Sequence, residues 1–154
     1  MKVLITGGAG KIGKKLISAL YKHDLSIRIL DKKNIADLSN NIELVIGDLF
    51  NHDILKKALE EIDVVVHLAA VTHSNHKEDY WHVNVEGTNN LVNLAREAKV
   101  KRFIFISTRA ISKDGGAYSQ SKLSAEKIVK KSKINWIILR PSEMGKEQLG
   151  TKLA

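Results

Sequence analysis

The strongest constraint on the fold is a glycine-rich turn directly after the first apolar segment. Residues 3–5 are apolar, glycines follow at positions 7, 8, 10 and 13, and a helical pattern continues to about residue 21. A strand that enters a helix through G-x-x-G-x-x-G is typical of a dinucleotide-binding site. We predict that Gly7 turns the backbone, Gly10 leaves space for a pyrophosphate, and Gly13 lets the helix pack on the strand. The amino end of that helix would offer its free N–H groups to the phosphates.

The composition is that of a single globular domain covering residues 1–154, with 44% apolar and 27% charged residues. No run approaches the roughly 18–20 apolar residues of a membrane span. The chain opens into a strand rather than a signal peptide. The absence of cysteine excludes disulfides and thiolate metal sites. We therefore expect a cytoplasmic protein.

The net charge of +8 is concentrated between residues 99 and 133, where ten Lys or Arg residues accompany two acidic residues. Such a patch fits nucleic acid, or it is a solvated surface around an anionic cofactor or substrate. We favour the second interpretation, and nucleic-acid binding ranks third among the functions considered.

Three histidines, His73, His76 and His82, lie in or just after the first long irregular stretch, residues 71–79. Their spacing fits no regular metal-ligand pattern, and no cysteine accompanies them. We predict no metal site here, and a loop that lies over the cofactor.

Apolar strands alternate with helices along the chain, which predicts a doubly wound parallel α/β sheet of the Rossmann type. The predicted strands are residues 2–6, 26–30, 42–46, 63–68, 102–106 and 135–139. The predicted helices are residues 11–22, 51–61, 80–99 and 118–131. Right-handed crossovers give about six strands in the order 3-2-1-4-5-6, with helices on both faces and ligands at the carboxyl ends of the strands.

An acidic residue, Asp31, ends the second strand about twenty residues after the glycines. A carboxylate there can accept both adenosine ribose hydroxyls and repel a 2′-phosphate, which favours NAD. Lys32 and Lys33 follow at once and could bind such a phosphate. NADP is therefore the less favoured cofactor.

The predicted helix 80–99 carries two apolar stripes. Positions 80, 83, 87, 91, 94 and 98 form one, and positions 81, 85, 92 and 95 form the other. A helix that is apolar on two sides is buried on two sides. One side can cover the sheet and the other can meet a second subunit, so we expect a homodimer.

Tyr118 and Lys122 lie four residues apart at the start of a predicted helix, and so share one face. A nearby ammonium would lower the pKa of the phenol from its usual value of about 10 and make it a general acid/base. Thr108, at the end of the preceding strand, can hydrogen-bond the same substrate oxygen. Tyr118 would take a proton from an alcohol as the nicotinamide takes the hydride, and Lys122 would bond the nicotinamide ribose.

With these features the chain resembles the extended short-chain dehydrogenase/reductase family, which includes NAD-dependent nucleotide-sugar epimerases and dehydratases. The matching segments span nearly the whole chain in the family's order. They are residues 6–13, Asp31, residues 47–49, 67–70, 84–88, Ser107 with Thr108, residues 118–122 and residues 139–141.

The resemblance implies a set of functional residues. Asn84, Thr108, Tyr118 and Lys122 would correspond to the catalytic set, and the helices bearing Asn84 and Tyr118 would form the dimer interface. Asp48 and Leu49 would flank the adenine, Ala69 would approach the nicotinamide ribose, and Pro141 and Ser142 would lie beside the carboxamide. The remaining implied cofactor contacts are Gly7, Gly10, Lys11, Ile12, Gly13, Leu68, Ala70 and Ser107.

Two departures from the family bear on function. The family normally continues past the Arg-Pro segment into a region that binds the nucleotide sugar, whereas this chain has about a dozen residues after Pro141. The loop between Thr108 and Tyr118 is also shorter than usual. Ahead of nucleic-acid binding, the sequence therefore leaves two hypotheses. The first is a minimal NAD-dependent oxidoreductase, epimerase or dehydratase, and the second is a non-enzymatic NAD(H)-binding module such as a redox sensor, a subunit or part of a longer enzyme.

Overall fold

The computed structural model describes residues 1–36, 38–112 and 114–141. Within them, six parallel strands form one sheet in the order β3-β2-β1-β4-β5-β6, as the sequence predicted. The strands are Lys2–Thr6 (β1), Ser26–Asp31 (β2), Ile42–Ile46 (β3), Val64–His67 (β4), Arg102–Ile106 (β5) and Trp136–Leu139 (β6).

The helices follow the predicted positions, with ends shifted by one or two residues and one larger difference. They are Lys11–Leu20 (α1), His52–Leu59 (α2), Lys77–Trp81 (α3), Thr88–Glu97 (α4) and Ala117–Lys131 (α5). The predicted helix 80–99 begins three residues earlier, at Lys77, and is interrupted by a π-helical segment, His82–Gly87. Such wide turns are rare and occur frequently at functional sites.

The sheet packs unevenly on its two faces. One face carries the larger core, to which α2, α4 and α5 contribute together with Phe103 and Phe105. The opposite face is covered by α1, through Ile17, and by apolar residues between β2 and β3. On β6, Ile137 and Leu139 pair in register with residues of this second face and remain 38% and 49% exposed.

The two apolar stripes of the interrupted helix are largely buried inside one chain. α4 packs against both α2 and α5, which buries Val92 and Ala95 of the second stripe. Trp81 of that stripe is still 39% exposed. Packing within the chain thus accounts for most of the double pattern, and the homodimer stays a prediction.

Candidate functional site

A cleft of about 340 Å³ lies along the carboxyl ends of β1, β2, β3 and β4. Eight of the predicted cofactor residues line it: Gly7, Gly10, Asp31, Asp48, Leu49, Leu68, Ala69 and Ala70. Other predicted contacts do not line this cleft, namely Lys11, Ile12, Gly13, Ser107, Tyr118, Lys122 and Pro141. Ser142 lies outside the described residues.

The glycine turn leaves no room for side chains at two of its positions. Gly7 has a φ of 75°, in the left-handed region that favours glycine. A Cβ atom at Gly7 would lie 2.7 Å from the backbone nitrogen of Ala69, and one at Gly13 would lie 2.6 Å from the carbonyl oxygen of Gly7. The turn, β4 and α1 are therefore held in close backbone contact, in agreement with the predicted roles of these two glycines.

The amino end of α1 fits an anionic ligand. Gly10 is its N-cap residue and also lines the cleft, and no described side chain caps the helix. The first turn contains no acidic residue, so the partial positive charge of the N–H groups is not offset there. These features match the pyrophosphate of a dinucleotide.

Backbone donors on two segments hold the Asp31 carboxylate at the edge of the cleft. Its Oδ2 accepts a hydrogen bond of 2.8 Å from Ala9 N–H, and its Oδ1 accepts one of 3.0 Å from Lys33 N–H. The glycine turn and the end of β2 are thereby joined. Each carboxylate oxygen retains acceptor capacity for a ribose hydroxyl.

The far end of the cleft contains an aromatic pair that sequence reasoning missed. Phe50 lines the cleft, and its ring stacks on the His82 imidazole with centroids 3.9 Å apart. Asp48 Oδ1 accepts hydrogen bonds from the N–H groups of Phe50 and Asn51, and the bond from Phe50 holds the pKa of Asp48 below its usual value. Val83, also missed, reaches the cleft from the π-helical segment. Val83 carried no sequence signal, because an apolar residue in a helix is normally assigned to the core. Phe50 carried none because it lies in the loop between β3 and α2.

The side chain of Asn84 makes three hydrogen bonds to groups within the protein. Its Oδ1 accepts from Val71 N–H at 2.8 Å, and its Nδ2 donates to Val71 O at 2.9 Å and to Ser121 Oγ at 3.0 Å. Ser121 in turn donates to the carbonyl of Tyr118 at 2.8 Å. Asn84 thus connects the wall of the cleft to the helix that carries Tyr118.

Tyr118 lies half-buried near the start of α5, with its ring centroid 6.1 Å from that of Tyr80. Burial raises the pKa of Tyr118, and the neighbouring Thr108 hydroxyl opposes the shift. The expectation that Lys122 lowers this pKa is wrong for this structure. The reason is the direction of the lysine, whose Nζ donates to the carbonyl of Ile106 at 2.8 Å.

Lys122 is buried, with Nζ 4.1 Å from the centre of the Phe105 ring. Burial lowers the pKa of Lys122 to about 8, although Glu126 one turn later acts in the opposite direction. The Glu126 carboxylate accepts two hydrogen bonds from Arg140, of 2.8 and 2.6 Å. This pair fastens the residue before Pro141 to the helix that carries Tyr118 and Lys122.

Comparison with known proteins identifies relatives along nearly the whole chain. Residues 3–145 match the family described as NAD dependent epimerase/dehydratase. A mouse dTDP-D-glucose 4,6-dehydratase is 38% identical over 136 residues, covering 77% of this chain and 38% of that protein. An uncharacterized membrane protein of Methanocaldococcus jannaschii is 37% identical over 138 residues, covering 82% of this chain and 41% of that protein.

Among solved structures, UDP-glucuronic acid 4-epimerase from Bacillus cereus in complex with NAD matches with a TM-score of 0.82 at 28% identity. The match covers 92% of this chain and 57% of that one, so the chain spans between 38% and 57% of the length of these relatives. No helix in the described ranges is long and apolar enough to cross a membrane. Asp31 predicted NAD as the cofactor. NAD is also the cofactor in the description of the family and in the solved complex of this neighbour. By its match over residues 3–145, this chain belongs to the NAD-dependent epimerase/dehydratase family.

Proposed function

We propose that this chain binds NAD in the cleft at the carboxyl ends of β1 to β4. The observation that carries the proposal is the close backbone contact of Gly7 with Ala69, beside an α1 amino end that no described side chain caps. The Asp31 carboxylate, held by Ala9 and Lys33, would accept the ribose hydroxyls and repel a 2′-phosphate. NAD should therefore bind more tightly than NADP.

Calorimetric titration with NAD and NADP tests this proposal. The variant Asp31→Asn lacks the carboxylate that would repel a 2′-phosphate. The ratio of the dissociation constant for NADP to that for NAD should therefore fall about tenfold. Asp53→Asn, at an exposed position on α2, is the matched control and should keep the preference of the unmodified chain. An unchanged preference in Asp31→Asn would contradict the assignment.

We further propose that the chain carries the acid/base group of an oxidoreductase, epimerase or dehydratase step. When bound, NAD would supply hydride acceptance and donation. Tyr118 would exchange a proton with a substrate oxygen, and the Thr108 hydroxyl beside it would hydrogen-bond that oxygen. A phenol with its usual pKa is protonated near neutral pH, and burial raises the pKa of Tyr118 further, so the group holds the proton that it would donate to a carbonyl.

The variant Tyr118→Phe tests this role. Turnover should fall by at least a hundredfold, while NAD affinity stays within about twofold, since the phenyl ring keeps the packing. Tyr21→Phe, at an exposed tyrosine after α1, should leave both quantities unchanged. Undiminished turnover in Tyr118→Phe would remove the catalytic assignment.

For substrates we propose nucleotide sugars, because the mouse relative is named for dTDP-D-glucose and the Bacillus cereus neighbour for UDP-glucuronic acid. The second candidate is a non-enzymatic NAD(H)-binding module, supported by the Lys122 Nζ, which donates to the carbonyl of Ile106. Incubation with NAD and a panel of nucleotide sugars separates the two. Product formation supports the enzyme, and NAD binding without product on any sugar supports the module.

The homodimer is also a proposal, with the helices 80–99 and 118–131 at the interface. Its support is Trp81, a large apolar side chain that stays 39% exposed on that side of the fold. Sedimentation should give a dimer for the unmodified chain and a shift towards monomer for Trp81→Ala. Identical sedimentation of the two proteins would contradict this interface.

A further inference from the structure

His67 is a buried titratable residue to which the proposed chemistry gives no role. It ends β4, is 1% exposed, and its ring centroid lies 5.9 Å from that of Phe103 and 5.6 Å from that of Phe105. Both of its ring nitrogens are hydrogen-bonded: Nδ1 to Thr6 Oγ1 at 2.6 Å and Nε2 to Thr88 Oγ1 at 2.9 Å. Buried polar atoms need hydrogen-bond partners, and those of His67 come from two different elements, β1 and α4.

The hydroxyl protons determine which ring nitrogen carries hydrogen. Thr88 Oγ1 donates its single proton to the carbonyl of Asn84 at 2.7 Å, so it can only accept from His67. Nε2 is therefore the protonated nitrogen and Nδ1 is the acceptor. Thr6 Oγ1 must donate to Nδ1, and it accepts from Ala69 N–H at 3.3 Å.

The hydrogen bonds thus run in one direction, from the cleft to the π-helical segment. They start at Ala69 N–H, pass through Thr6, His67 and Thr88, and end at the carbonyl of Asn84. The first residue of the series lines the cleft. The last is the one whose side chain reaches α5 and Tyr118 through Ser121.

We propose that His67, as the neutral Nε2–H tautomer, is a positioning residue that fixes the cofactor cleft relative to the segment carrying Asn84. The expected effect on cofactor binding rests on the proposed NAD site, whereas the assignment of the tautomer does not. Burial, and next the nearby Lys122 ammonium, lower the pKa of His67 to about 3, which keeps the ring neutral at physiological pH. Loss of the Thr88 hydroxyl would let the ring change tautomer, and loss of the Thr6 hydroxyl would loosen the backbone at Ala69.

The tautomer is tested directly on the full chain. Long-range proton–nitrogen NMR of protein labelled with ¹⁵N-histidine, with His67→Gln used to assign the signals, should show Nε2–H at pH 7. The Nδ1–H tautomer or a charged ring would overturn the proposal. This measurement needs no ligand, and the tautomer is read on the unmodified chain.

The positioning role is tested with Thr88→Val against Thr88→Ser. The valine variant lacks the hydroxyl and should bind NAD about tenfold more weakly by calorimetry, whereas the serine variant should stay within about twofold. Ser132→Ala removes a buried hydroxyl just after the end of α5 and should leave NAD affinity unchanged.

Equal NAD affinity of the valine and serine variants would overturn the positioning role. So would an equal loss in Ser132→Ala. If the unmodified chain fails to bind NAD, the proposed function fails, and the NMR signature still decides the tautomer.

Discussion

Single residues in this chain derive their function from backbone contacts and burial. Gly7 is in the left-handed region, and a side chain there would meet the backbone of Ala69. Gly116, by contrast, has no atom within 4 Å of the position of a Cβ. Comparing Gly7→Ala with Gly116→Ala therefore separates the effect of the crowded turn from the effect of any glycine-to-alanine substitution.

We predict that Gly7→Ala destabilises the fold by roughly 2–4 kcal/mol, since it combines a strained φ with a backbone clash. NAD affinity should fall below detection. Gly116→Ala should change stability by less than about 1 kcal/mol. Urea unfolding and calorimetry measure both effects, and similar results for the two variants would contradict the packing described for the turn.

His67 gives a second prediction at this scale, in the pH dependence of stability. Its pKa falls from 6.5 to about 3 on folding, so between these values the unfolded state binds more protons. Stability should therefore decrease as the pH falls from 6.5, by up to about 1.4 kcal/mol per pH unit. Chemical unfolding between pH 6.5 and 5 measures this slope.

Two histidine variants provide the controls for that slope. His67→Gln removes the titrating group and should flatten it. His52→Gln, at an exposed position on α2, should leave it as in the unmodified chain. A slope that survives in His67→Gln would assign the titration to another group.

Between elements, the contact of α5 with β6 depends on a buried charge. Glu126 is fully buried and accepts both bonds from Arg140, which directly follows β6. Burial, the largest single influence, raises the pKa of Glu126, but the hydrogen bonds and charge of Arg140, together with Ser107 and Lys130, keep that pKa below its usual value. The end of β6 is thus joined to the turn of α5 that follows Lys122.

We predict that Glu126→Gln lowers the unfolding temperature by several degrees and lowers the pKa of Lys122 below about 8, because Glu126 favours the charged lysine. NMR titration of the Lys122 ammonium measures the pKa. Glu97→Gln, at an exposed position on α4, is the control. An unchanged lysine pKa would show that the two side chains are not coupled.

At the scale of the whole molecule, the second face of the sheet is incompletely covered by residues 1–36, 38–112 and 114–141. α1 packs there near β1 and β2, while Ile137 and Leu139 of β6 remain partly exposed. Exposed apolar side chains on an edge strand favour association with other chains or with apolar molecules. The proposed homodimer would use the opposite side of the fold and would leave this surface open.

We predict that the chain binds an apolar fluorescent dye and self-associates at high concentration. The double variant Ile137→Lys and Leu139→Lys should reduce both effects while keeping the strand order, since both side chains already contact water. Light scattering and dye fluorescence measure the outcome. The double variant Lys130→Ala and Lys131→Ala, on exposed positions of α5, serves as a control that should leave dye binding unchanged.

The sequence by itself determined the fold class, the strand order and the region of the cleft. Apolar periodicity and glycine are local properties, so β1, β3 and β5 begin and end where they were predicted, and Gly7 and Asp31 lie at the cleft. Only the tertiary structure decided the π-helical segment, the hydrogen bonds of Asn84, the partner of Lys122 and the raised pKa of Tyr118. These depend on which side chains meet across separate elements, such as Thr6 with His67, 61 residues apart. Hydrogen-bond partners and burial set protonation and orientation, and neither is encoded in the spacing of residues along the chain.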